Sequence, residues 1–93
     1  MRILDLDGLR KYVHDTICDF NELESNVFEI TERILIRRGN PCGIFFCLHG
    51  PRSVKLTAIW ETDRNKILFY GSAGQRLHIT SLAHAPDLQM AAA

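Results

Sequence analysis

Ninety-three residues, 46% hydrophobic and 24% charged with acids and bases in equal number, exclude a disordered chain. They leave room for one core, because a domain this small buries only about 60% of its unfolded surface. The opening Met-Arg-Ile-Leu-Asp-Leu-Asp has acids where a signal peptide has an apolar run, and no run reaches the roughly 18 apolar residues of a membrane helix.

The chain therefore reads as cytoplasmic, with no membrane span. Cys18, Cys42 and Cys47 are an odd number without secretory context, so reduced thiols are expected. The zero net charge hides an asymmetry. Residues 1–32 carry three basic against eight acidic side chains, and residues 33–93 carry eight basic against three acidic.

From Asp5 to about Leu23, Leu6, Leu9, Val13, Ile17 and Phe20 recur at steps of three and four, the spacing of one helical stripe. Asp5 or Asp7 is placed to cap its first turn. In the segment from Asn26 to Gly39, Phe28, Ile30, Ile34 and Ile36 alternate with Glu29, Thr31, Arg33 and Arg37, which is strand spacing. A helix competes over residues 27–38, since Asn26 with Glu29 fits a capping box and Gly39 a C-cap. The strand reading is adopted.

Gly39 to Gly43 reads as a turn and Gly43 to Leu48 as an apolar strand. His49-Gly-Pro-Arg52 turns the chain into an alternating strand from Ser53 to Trp60. Lys66 to Tyr70 and Arg76 to Thr80 are further strands on either side of Gly71-Ser-Ala-Gly74. Short links between successive strands imply an antiparallel meander.

A helix with one apolar stripe must cover one face of such a sheet. The expected fold is α+β: an amino-terminal helix packed on a curved five-stranded antiparallel meander sheet, with residues 1–82 forming one domain and 83–93 a frayed tail. The expected core includes Leu9, Val13, Ile17, Phe20, Ile34, Ile36, Ile44, Phe46, Leu48, Val54, Leu56, Ala58, Trp60, Ile67 and Phe69.

Chemistry-bearing patterns are sparse. Cys42, Cys47 and His49 lack the second ligand pair of a zinc site. Cys47 and His49 share a strand face but have no orienting carboxylate or oxyanion hole beside them, so Cys47 reads as a small hydrophobe. Asp15 and Asp19 share a helix face without a third partner. Gly71-Ser-Ala-Gly74-Gln-Arg76 joins strands, whereas a phosphate loop opens a helix. No catalytic, cofactor or metal residues are assigned.

The basic residues point further. Arg33 and Arg37 alternate outward on the first strand, and Lys55 lies on a face with Ser53, Thr57 and Ile59. With Phe45, Ile59 and Tyr70, and with Arg52 and Arg76, they outline a positive, partly apolar sheet surface. The primary expectation is a non-enzymatic binding module that uses this face for a homodimer or a protein partner. The alternative is single-stranded nucleic acid held by stacking and phosphate contact.

Cys42-Gly43, Leu48-His-Gly-Pro-Arg52, Lys55-Leu-Thr-Ala-Ile-Trp-Glu61 and Tyr70-Gly-Ser-x-Gly-x-Arg76 resemble segments of short bacterial proteins of the planctomycete type, a group of unknown function. The resemblance spans about residues 28–80. It implies a small cytoplasmic bacterial domain and assigns no activity, cofactor or partner.

Overall fold

The computed structural model describes residues 5–24 and 27–83, so the tail expected over 83–93 lies, from residue 84 on, outside the described residues. Helix α1 runs from Leu6 to Phe20. Asp5 caps it: its Oδ1 accepts the Gly8 N–H at 2.7 Å, satisfying a backbone donor that the helix itself cannot. The helix stops short of Leu23 at Asn21, whose side-chain amide donates to the Ile17 carbonyl at 2.8 Å.

Five strands follow: β1 (Ile30–Arg37), β2 (Asn40–His49), β3 (Lys55–Glu61), β4 (Lys66–Tyr70) and β5 (Arg76–Ser81). They form one antiparallel sheet in the order β1-β2-β3-β4-β5, the expected meander. The helical alternative for residues 27–38 gives way to β1. Arg38 and Gly39, at φ 52° and 79°, make a two-residue hairpin link in which both residues are left-handed. Hence β2 begins at Asn40, inside the segment expected to turn. The ladder shifts between Leu35 and Ile36 and leaves Cys42 unpaired in the register, as a β-bulge does.

Period-two alternation sends Ile44, Phe46 and Leu48 of β2, Leu56, Ala58 and Trp60 of β3, and Ile67 and Phe69 of β4 to one face, where Leu9, Val13 and Ile17 of α1 cover them. Each large side chain so buried contributes about 1.5–3 kcal/mol. Trp60 is fully buried, and its indole N–H donates to Asn65 Oδ1 at 3.0 Å while the Asn65 amide reaches the Leu82 carbonyl. Tyr12 and Thr80 share a hydroxyl hydrogen bond of 2.7 Å, which ties the helix to β5. Arg10 ties it to β1 through a two-pronged contact with Glu32, and that carboxylate raises the guanidinium's pKa.

Two expected core residues are exposed. Ile36 (58% exposed) lies past the bulge, next to the hairpin tip. Phe20 (47% exposed) occupies the last turn of α1 and overhangs the β5 edge, its ring 5.4 Å from that of His78. No helix among the described residues is long and apolar enough to cross a membrane.

Candidate binding surface

The same alternation that fills the core builds a second, uncovered face. Reading the register across the sheet, Arg33 pairs with Phe45, Phe45 with Ile59, Ile59 with Leu68 and Leu68 with Ile79. Four apolar side chains on adjacent strands thus form one row, closed at the β1 end by Arg33. The row on one side of it is Thr31, Cys47, Thr57 and Tyr70, and the row on the other is Leu35, Gly43, Glu61, Lys66 and Ser81. Phe45, Ile59, Leu68 and Tyr70 are half-buried and Ile79 is exposed. Helix α1 packs on the opposite face, and no other described element lies on this one.

Charge is confined to the margins. The Arg33 guanidinium sits 5.9 Å from the centre of the Phe45 ring, within cation–π range. Lys55 stands opposite His49 at one end of the strands, and Lys66 opposite Glu61 at the other. Arg76 faces Tyr70 where the β4–β5 register shifts. The rim is therefore four cations and one acid around an uncharged row. The outer side of the molecule, by contrast, carries the helix acids, among them Asp7, Asp15 and Asp19.

Of the eight residues expected at the surface, Arg33, Phe45, Lys55, Ile59, Tyr70 and Arg76 share this face or its margin. Arg52 lies beyond the strand ends, an exposed residue of the short 3₁₀ turn Pro51–Ser53 between β2 and β3, in a left-handed conformation. At the end of β1, the Arg37 guanidinium binds the Asp63 carboxylate, which raises its pKa, with a smaller effect from Cys42. The pair borders a polar cleft of about 410 Å³ between the β1–β2 and β3–β4 hairpins, lined also by Arg38, Asn40, Pro41, Cys42 and Thr62. The Cys42 carbonyl accepts both the backbone N–H and the hydroxyl of Thr62, each at 3.0 Å, and so joins the two hairpins.

The other patterns resolve into structural contacts. Cys47 is buried within the open face, while the Nε2 of His49 is hydrogen-bonded to Thr31 Oγ1 at 3.1 Å. Cys18 is buried under the helix, and burial followed by the nearby Asp15 and Asp19 pushes its thiol pKa up. Asp15 is paired with Lys11 at 2.9 Å. Among the described residues no three His, Cys, Asp or Glu side chains are grouped to hold a metal ion. The Gly71–Gly74 loop is a turn: Gly74 is left-handed at φ 82°, and the Gln75 side chain accepts the Ala73 N–H.

Sequence reasoning missed Leu68 and Ile79. Leu68 sits in Ile67-Leu-Phe69, where three consecutive apolar residues conceal which one points outward. Counting in twos back from Ile67 and Phe69 and then across each hairpin supplies the missing assignment. In comparisons with known proteins, the chain matches no family model, no curated protein and no solved structure.

Proposed function

We propose that the protein is a non-enzymatic binding module whose open sheet face docks a protein segment carrying an apolar stripe flanked by acids. The observation that carries this reading is the uncharged row Phe45, Ile59, Leu68 and Ile79, with Arg33, Lys55, Lys66 and Arg76 around it. An apolar centre inside a polar rim is the anatomy of a protein interface. The cationic margin selects an acidic partner and speeds its approach.

Two competing occupants fit the same face less well. A second copy docked face to face sets basic margin against basic margin. Single-stranded nucleic acid wants aromatic planes for its bases, yet three of the four row residues are aliphatic, and Arg37 is already committed to Asp63.

The test is fluorescence anisotropy with a labelled amphipathic Leu/Glu-repeat peptide and, separately, a mixed-sequence single-stranded DNA oligonucleotide. Binding of the peptide is expected, weakened at least tenfold in the Ile59→Thr/Leu68→Thr double variant and eased by salt. Peptide affinity that ignores both substitutions, or an oligonucleotide bound more tightly than the peptide, overturns the reading; the latter result moves nucleic acid to the front.

A further inference from the structure

The two edges of the sheet are built differently. The β1 edge carries Glu32, Arg33 and Arg37, with Glu32 and Arg37 held in ion pairs. These are devices that discourage another strand from adding. Strand β5, Arg-Leu-His-Ile-Thr-Ser, has no proline, no lysine and no acid, its one charge is at its first residue, and past the register shift that leaves Leu77 unpaired its ladder with β4 is regular from His78 to Ser81. Among the described residues five large apolar side chains are exposed, and three of them, Phe20, Leu77 and Ile79, border this edge.

The backbone on that edge is also in a defined phase. The Leu82 N–H donates to the Asn65 carbonyl at 2.9 Å, and antiparallel ladders bond every second residue. Counting back through Ile67↔Thr80 and Phe69↔His78, the amides of His78 and Thr80 face β4. Those of Ile79 and Ser81 face away from the sheet.

We propose that β5 pairs antiparallel with β5 of a second copy about a two-fold axis at Ile79. In that register the free N–H and C=O of Ile79 are exchanged with those of its mate, and His78 lies opposite Thr80 of the other copy. Shifting the register by one residue would set inward-facing amides against outward-facing ones, so it is excluded. The arrangement is isologous and closes as a dimer. It also runs the open-face row straight through the axis, so that Phe45, Ile59, Leu68 and Ile79 of one copy continue into Ile79, Leu68, Ile59 and Phe45 of the other. The surface doubles in length with no charge in its interior. This pairing stands whatever the face binds.

The experiment is sedimentation equilibrium over a wide range of protein concentration on the full chain, together with Ile79→Pro, Ile79→Lys and Ile36→Lys. Proline at 79 removes only an outward N–H, and lysine places a charge on the edge. The unaltered chain and Ile36→Lys are expected to approach twice the 10.6 kDa mass of one chain. Both Ile79 variants are expected to remain at the mass of one chain, with circular dichroism unchanged for Ile79→Lys. If Ile79→Pro fails to fold, Ile79→Lys alone decides. An unaltered chain that stays monomeric, or a dimer that survives Ile79→Lys, overturns the proposal. A dimer lost in Ile59→Thr/Leu68→Thr but kept in Ile79→Lys does so as well, since it would place the second copy on the face.

Discussion

Two rows of the sheet, one residue out of step, have opposite fates. Ile34, Ile44, Trp60, Ile67 and Thr80 form a row under helix α1, while Arg33, Phe45, Ile59, Leu68 and Ile79 form the row on the uncovered side. Both are apolar at their centre. Trp60 and Ile67 are wholly buried, whereas Ile59 and Leu68 keep part of their surface in water. The first row stabilises the fold. The second contributes less to stability than its apolar content would allow, and that difference is why binding is assigned to it.

Substitutions at adjacent positions separate the rows. Trp60→Ala should cost about 3–5 kcal/mol, as large-to-small changes in a packed core do, and it also orphans Asn65 Oδ1; urea denaturation should show a midpoint shift large enough to leave little folded protein. Gly43→Ala should cost about 1–3 kcal/mol, because a Cβ there collides with the Trp60 backbone carbonyl and must push β2 from β3; a fall in Tm measures it. Ile59→Thr, one residue from Trp60 but on the open side, keeps a β-branched side chain and should cost less than about 1 kcal/mol. A large loss of stability there would erase the distinction between the rows.

The smallest effect lies under the helix. Cys18 has its thiol pKa raised above 9.0, chiefly by burial and then by Asp15 and Asp19. The folded state therefore holds the proton more tightly than the unfolded one. Its contribution to stability is complete below about pH 9 and is lost as pH rises through the folded value. Denaturation midpoints across this range should decline less steeply in Cys18→Ala than in the parent chain. Equal slopes would show that the thiol is not held neutral by the fold.

The element order was legible from the turn residues between strands, and both faces of β3 from alternation, as in Lys55-Leu-Thr-Ala58; β2 reads as an unbroken apolar run, and its faces follow only from its pairing with β3. The start of β2 was not legible, since Asn40 and Pro41 look like turn residues until Arg38 is known to be left-handed. The Arg37–Asp63 ion pair was not legible, because it joins residues 26 apart in separate hairpins. Phe20 followed the helical stripe correctly, but the helix is long enough that its last turn hangs past β5. The open face was legible through Phe45, Ile59 and Lys55; its full length was hidden in the unbroken Ile67-Leu-Phe69.

The measurement that bears most directly on the contrast between the two rows is a titration of ¹⁵N-labelled protein with the acidic amphipathic peptide, followed by amide chemical shifts. The account predicts perturbations concentrated at Arg33, Phe45, Ile59, Leu68 and Ile79 and their open-face neighbours, with the outer surface of α1 unchanged. Shifts centred on the helix or on the Arg37–Asp63 cleft, or no shifts at all, would contradict it.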